Sequence, residues 1–591
     1  MQIMKDYLWN LDALYTGYDD PNFIKDFDLM KNLYEEIPTL LQNMESFDDK
    51  DVIIEGLKTL EIIKDYTYRL KMYAQLRLAV DSNEADNTKW ANTTLNLASS
   101  LKTYENALLD KILEAPCLKE MIETDAFVHQ YKFILLEQLN KKDHKLDSKQ
   151  EEILSMVYPT SLKAFSDMYY ALTGNATALY DGKELPLTQV KNMCHDNSSE
   201  VRKKAFLAEQ EAYKSIATPL SFAISSIKQQ QLKEARLRGY KDPLEKMLIE
   251  SRMDKETLDA MMSSIQSYLP KFRNYLRTKA NLLGYKNGLP WYEIYATLGE
   301  CDFNFSIKEC EELILKHFKD VSGNLYNMTK QAFDEKWIDY PTRPGKQPGA
   351  FCENLGWIKQ SRLITNYNNT LSDIITVAHE LGHAFHGMMI ENQPVLNRDY
   401  CMPLAETAST FNENIMYNAL QKDMNDHDKL LVIDSQLSAL CQNILDIFRT
   451  DRKPDRVRLD HVEEGFLTAD QLCELMKEAL LRSFGDGLDP EWLHPYRWIT
   501  KVHYYIPDIA YYNFPYTFGA LFSRGLYALY TKQGKDFIPK YEKLLAATTT
   551  NTCEDVAKIA DIDLRQETFW KESLQSIVDQ MDEFLQLAKG E

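Results

Sequence analysis

Up to about residue 175, apolar positions recur at the three- and four-residue spacing of helices buried along one face. The pattern is clear in FIKDFDLMKNLYEEIPTLLQNM and again over 52–106. Few glycines interrupt it and no fixed period repeats, so it predicts an irregular helical bundle and not a solenoid, with the Tyr and Leu stripes as core. At 174–190, GNATALYDGKELPLTQV, the helical period stops, and Asp181 with Gly182 between short apolar segments predicts a β-hairpin. We place a domain boundary there, between an N-terminal helical domain (1–190) and a second domain (191–591). No Gly/Ser-rich linker marks it, so the two are expected to pack together.

Long helices return from about Ser198. PTRPGKQPG at 341–349 must be a loop, and GAFCENLGWIKQSRLITNYN after it has short β-prone runs, predicting a small sheet. Next comes SDIITVAHELGHAFHG (372–387), a helix with Ile374, Ile375, Val377 and Ala378 on its core face and Ser372 as N-cap. A further helix starts at Met402 and Pro403 and runs through PLAETASTFNENIMYNAL, proline suiting a first turn. Residues 428–485 read as helical again, with His427 and His461 in charged surroundings and expected at the surface. The tract 494–530 is dense in tyrosine, much of which a packed aromatic core explains.

Composition narrows the class. At 591 residues, 44% hydrophobic and 27% charged, this is an ordinary soluble globular chain with ample core. A formal charge of −21 argues against nucleic acid or an anionic membrane as partner, since both need a basic face. Nine cysteines, an odd number without a C-x-x-C pair, do not make a disulfide framework, so a reducing cytoplasm is expected. MQIMKDYLWNLDALY lacks the basic and apolar regions of a secretory signal, and we find no run of about eighteen apolar residues to predict a membrane span.

The chemistry lies in 372–387. His379 and His383 are four apart, one above the other on a helix face, so both imidazoles can reach one metal ion. Glu380 between them projects beside that ion, where it can take a proton from a water; this is the equipment of a zinc peptidase. Zinc needs a third protein ligand and an open position. Met389 stands where a third histidine ten residues after His379 would be, His386 is poorly placed, and Glu391 lies about 12 Å beyond His383 along a continuing helix. A separate helix is expected to supply it, and the next convincing one is that after Pro403. There Glu406, Ser409 and Glu413 share a face, so that Glu406 can bind the ion while Ser409 or Glu413 steadies it.

HELGHAFH followed by LAETASTFNE resembles the oligoendopeptidase F branch of the thimet oligopeptidase family of zinc metallopeptidases. LPWYEIYA, RPGKQPGAFC, ITNYNNT and HYYIPDIAYYNFPYTFGALFS follow the family order as well, covering most of 200–530. The resemblance implies a mainly α, multi-helix zincin-type peptidase enclosing a deep substrate channel, with a small β-sheet beside the active-site helix. It implies one zinc ion on His379, His383 and Glu406, Glu380 as general base, and cleavage of internal bonds in short peptides. It further implies that a His and one or more Tyr face the substrate across the metal, which matches His503, Tyr516 and Tyr512. Relatives carry a glycine-rich loop between that His and Tyr where this chain has Ile506, Pro507 and Asp508, leaving open which of Tyr511, Tyr512 and Tyr516 aligns. A carboxypeptidase, which would need a basic anchor for the terminal carboxylate, and a non-catalytic peptide-binding scaffold, which would usually have lost Glu380, are the rival readings. Oligomeric state is not legible.

Overall fold

The helical period of the first 120 residues resolves, in a computed structural model that describes residues 7–299, 303–451 and 465–590, into α1 (Pro21–Asn43), α2 (Asp49–Val80) and α3 (Ala85–Glu114). The apolar stretch 52–106 divides between α2 and α3. Asp81 leaves the helix in an extended conformation, and the buried Asn87 side chain closes the turn by donating to the carbonyls of Arg77 (3.2 Å) and Asp81 (2.9 Å).

The expected hairpin pairs β1 (Thr177–Tyr180) with β2 (Lys183–Pro186), antiparallel, with Tyr180 opposite Lys183. Asp181 (φ 46°) and Gly182 (φ 78°) both adopt the left-handed conformation that a two-residue turn of this kind demands. The hairpin packs on the long helix α4 (Ser199–Leu237). Buried apolar residues form two clusters, one drawn mainly from Trp9 through Leu135, the other from Leu162 through Phe584. The change of core thus falls before the hairpin; the division at 190 stays a proposal about folding units.

Between the clusters lies a three-stranded sheet, order β3-β5-β4, made of β3 (Ile338–Pro341), β4 (Phe351–Leu355) and β5 (Gln360–Tyr367). β3 runs parallel to β5 and β4 antiparallel to it. Alternation along the strands gives each core one face: Leu355 and Ile364 join the N-terminal cluster, Ile338 and Leu363 the other. Cavities of about 590 Å³ and about 270 Å³ lie in the seam between α2 and β4; Glu353 lines both.

After the sheet come α5 (Leu371–Ile390), α6 (Met402–Ala405), α7 (Thr407–Leu420), α8 (Asp426–Asp451), α9 (Phe514–Gln533) and α10 (Glu567–Leu587). The chain is mainly α, as expected. Among the described residues one helix is long and apolar enough to cross a membrane by length and composition, over Asp426–Phe448 in α8, although Asp434 and Asp446 interrupt its apolar run. Two-thirds of that window is buried (67%), against α9 and α10 among others, so its apolar residues serve as core. His427 is exposed; His461 lies outside the described residues.

Candidate metal centre

Helix α5 is capped by Thr370 and not by Ser372. Both could cap, but only Thr370 has Asp373 three residues on. Thr370 Oγ1 accepts from the Asp373 N–H (3.2 Å), and Asp373 Oδ2 accepts from the Thr370 N–H (2.8 Å). Ile374, Val377, Ala378, Leu381 and Phe385 then bury its core face.

What brings α7 up to α5 is Gly382. A Cβ there would stand 2.5 Å from the Ala408 carbonyl oxygen and 2.5 Å from Ser409 Cα, so the two backbones meet only because that carbon is missing. Asn412 ties the pair again, its Nδ2 donating to the Ala378 carbonyl at 3.2 Å. The segment after Pro403 is not one helix: it breaks between α6 and α7, and Glu406 sits at the break with φ −92° and ψ 9°. The break has a physical reason in packing, since Gly519 of α9, where a Cβ would lie 3.2 Å from Glu406 Cβ, presses against this corner.

Three side chains converge. His379 Nε2 lies 3.2 Å from His383 Nε2 and 3.3 Å from Glu406 Oε2, and His383 Nε2 lies 3.4 Å from the same oxygen. Donors held at about 2.0–2.1 Å from one tetrahedral ion are about 3.3 Å apart, so this triangle is the right size for a single zinc. Around it, His379 Nδ1 is 2.6 Å from Glu413 Oε1, Ser409 Oγ donates to Glu406 Oε2 (2.7 Å), and Asn354 Nδ2 donates to the His383 carbonyl (3.2 Å). Both residues named as supports thus have a place: Ser409 on Glu406, Glu413 on His379.

The electrostatics draw positive charge here. Burial opposes ionisation of His379, but its hydrogen bonds to Glu406 and Glu413 prevail and push it up to about 10. Burial likewise works to raise Glu406, and the hydrogen bonds and charges of His379 and His383 hold its carboxyl well below the usual range. Glu380 is 5% exposed; burial pushes its carboxyl up, with the two histidines opposing. It sits on the side of α5 facing β4, close enough to Cys352 for its charge to add to burial in raising that thiol.

His386 stands apart. It is fully buried, stacked on Tyr400 (centroids 4.3 Å) with Nε2 2.8 Å from Thr548 Oγ1, and burial pushes it down to about 3. Glu391 pairs instead with Lys359 at 3.3 Å.

In the aromatic tract, burial sorts the rings. Trp498, Tyr504, Tyr505, Tyr511, Phe514, Phe518 and Phe522 are core, whereas His503 and Tyr512 are half-buried and Tyr516 is 36% exposed. These three cluster, with ring centroids 4.4 Å (His503 to Tyr512), 5.7 Å (Tyr512 to Tyr516) and 6.1 Å (His503 to Tyr516). Tyr516 stands one turn before Gly519, the residue packed on Glu406, and feels the Glu406 charge. His503 Nδ1 lies 2.7 Å from Asn513 Oδ1, so its ring N–H donates there. Sequence reasoning missed Asn354, Asn412 and Asn513. Gly382 alone carried a signal, as a glycine inside a helical pattern.

The sequence profile described as Peptidase family M3 matches residues 192–576, and one described as Oligopeptidase F matches 113–175. The chain belongs to peptidase family M3. It is an enzyme of the metalloendopeptidase class, related to an oligoendopeptidase F homologue of Borreliella burgdorferi, 24% identical over 574 residues, 95% of each chain. An oligopeptidase PepF of Bacillus subtilis is 24% identical over 578 residues, covering 95% of this chain and 84% of its own. The solved structure of oligoendopeptidase-F from Enterococcus faecium shares the fold with a TM-score of 0.69 at 17% identity, over 96% of this chain and 99% of that one.

Proposed function

We propose that this enzyme hydrolyses internal bonds of short oligopeptides, with one zinc ion held by His379, His383 and Glu406 and with Glu380 as general base. The observation that carries the reading is the 3.2, 3.3 and 3.4 Å triangle of donors with the buried Glu380 beside it. Zinc, when bound there, supplies a Lewis acid for the scissile carbonyl and makes water a nucleophile near neutral pH. Glu380 takes the proton of the attacking water and hands it to the leaving amine, a role suited to a carboxyl whose affinity for protons burial has raised.

The substrate is held as a strand. β4 is an edge of the sheet and packs beside α5, so an extended peptide can add to it through backbone hydrogen bonds, with affinity that depends little on sequence. Tyr68 of α2 marks one end of that edge, its hydroxyl donating to Glu353 Oε2 at 3.0 Å and lying 3.3 Å from the Asn354 carbonyl. Two packed cores with the seam between them admit a short unfolded peptide and exclude a folded protein.

Across the metal we assign Tyr516 as donor to the developing oxyanion, with Tyr512 beside it. His503 has its Nδ1–H on Asn513 and is pushed down by burial, so at neutral pH it is uncharged and offers Nε2 as an acceptor. It therefore orients a hydroxyl or a substrate amide. A reducing cytoplasm remains its proposed place, on the scattered cysteines of the sequence.

Digestion of peptides of graded length, with products identified by mass, tests this. Internal cleavage of short peptides is expected, abolished by a strong chelator and restored by zinc. Strict trimming from one end would make it a carboxypeptidase, and activity indifferent to the chelator would remove the metal from the reaction. Glu413→Ala is expected to weaken zinc affinity about ten- to a hundredfold without abolishing binding, measured by competition with a chromogenic chelator, because it frees the His379 ring. An unchanged affinity would make the 2.6 Å contact irrelevant to the metal.

A further inference from the structure

The segment between His503 and Tyr512 forms no helix or strand over 506–511, yet the carbonyls of five successive residues in it are met by side chains from elsewhere. Gln231 of α4, buried, points its Nε2 at the carbonyls of Ile506 (2.9 Å), Pro507 (2.8 Å) and Ile509 (3.4 Å). Lys228, one turn earlier, lies 3.5 Å from the Ala510 carbonyl and donates to Gln231 Oε1 at 3.0 Å. Lys246 of helix Pro243–Glu250 reaches the Asp508 carbonyl at 3.5 Å, and Tyr158 donates its hydroxyl to Asp508 Oδ2 at 2.9 Å.

The chemistry of the amide makes Gln231 the key of this set. A glutamine can turn either its oxygen or its NH2 toward a neighbour, and here the Lys228 ammonium holds the oxygen, which leaves both N–H bonds for the loop. Two hydrogens serve Ile506 and Pro507 well and Ile509 at longer range. Carbonyls in a part-buried loop need such donors, because an unmet one keeps its desolvation cost. At the base of the loop the His503 to Asn513 bond closes the ring, and Asn513 immediately precedes α9, which carries Tyr516.

We infer that Gln231, oriented by Lys228, is a positioning residue for the reaction: it fixes the 506–510 loop and through it the His503 and Tyr512 rings relative to Tyr516. The inference rests on the proposed roles of His503 and Tyr516. It also gives a physical account of how a loop carrying Ile506, Pro507 and Asp508 is set: side-chain donors from α4 hold it, in place of the conformational freedom that glycines would give.

The test is Gln231→Met, close in size and without a donor. Zinc content is expected to match the parent, KM to change little, and kcat to fall about 10- to 100-fold through misplacement of groups that Gln231 does not itself touch. Amide hydrogen exchange, followed by mass spectrometry, is expected to quicken in the peptide covering 504–512 and nowhere else. Parent-like kcat and exchange overturn the inference. So does a loss of kcat with exchange quickened throughout the chain, which is a general loss of stability. Should Gln231→Met fail to fold, Gln231→Glu keeps a partner for Lys228, turns oxygens toward the loop carbonyls, and is read in the same way. If His503→Ala and Tyr516→Phe both turn over like the parent while Gln231→Met loosens the loop without loss of kcat, then the loop is held but takes no part in the reaction. That outcome removes the roles of the two rings, and the positioning role with them. If those two variants lose turnover and Gln231→Met does not, only the positioning role falls.

Discussion

Glu380→Gln is expected to load zinc like the parent and to lose about a hundred- to ten-thousandfold in turnover. The substitution keeps the shape of a side chain that is 5% exposed and wedged on the β4 side of α5, so packing is preserved. It removes only the capacity to accept a proton. The environment of Glu380 suits a general base, since burial raises the carboxyl's affinity for protons above that of an ordinary carboxylate, with the charges of His379 and His383 opposing the rise. His379, His383 and Glu406 are untouched, so metal content measured by elemental analysis should not move. A Glu380→Gln enzyme with near-parent turnover would place the base elsewhere and return the other hydrolase readings to consideration. Loss of zinc together with activity would show instead that the carboxylate holds the centre together.

Much of this centre was legible because its parts lie close in sequence. His379, Glu380 and His383 share one helix, and a helix fixes their relation without help from the rest of the fold. Glu406 was legible by spacing to Ser409, yet its conformation was not: nothing in PLAETAS announces a break, and the corner forms because α9 brings Gly519 against Glu406 Cβ. The sheet was half legible. β4 and β5 stood out as β-prone runs on either side of a turn, whereas β3 is four residues ending in a proline and gains its identity only by pairing parallel to β5. That both faces of the sheet are buried, each in a different core, hid its position from any reading of alternation.

The amide contacts were invisible for a different reason. Asn354 reaches the His383 carbonyl across 29 residues and Gln231 reaches Ile506 across 275, and neither side chain sits in a pattern that reports a distant carbonyl. In the aromatic tract the sequence could not separate working rings from packing rings, because a Tyr in a core and a Tyr in a cleft are the same letter. Burial separates them, putting Tyr511 in the core and leaving Tyr516 exposed beside Glu406.

Tyr516→Phe follows from that separation and is expected to lower turnover about a hundred- to a thousandfold while leaving fold and zinc content intact. Only the hydroxyl is deleted, and the 36% exposed ring keeps its neighbours Tyr512 and His503. Burial first, then the hydrogen bond and charge of Tyr512 and the charge of Glu406, push the Tyr516 hydroxyl well up, so it remains a protonated donor throughout the working range of a peptidase. His503 cannot take its place at neutral pH: the ring is pushed down by burial, its Nδ1–H is committed to Asn513 at 2.7 Å, and Nε2 has no proton to give. The expected loss is in kcat with little change in KM, since an oxyanion donor acts on charge that develops only in the transition state. Tyr512→Phe, by contrast, is expected to cost less, because its hydroxyl acts on Tyr516 and so only indirectly on substrate. Should Tyr512→Phe lose turnover while Tyr516→Phe keeps it, the donor is the other ring; a KM effect alone in Tyr516→Phe would mean that the hydroxyl binds substrate and does not stabilise the reacting carbonyl.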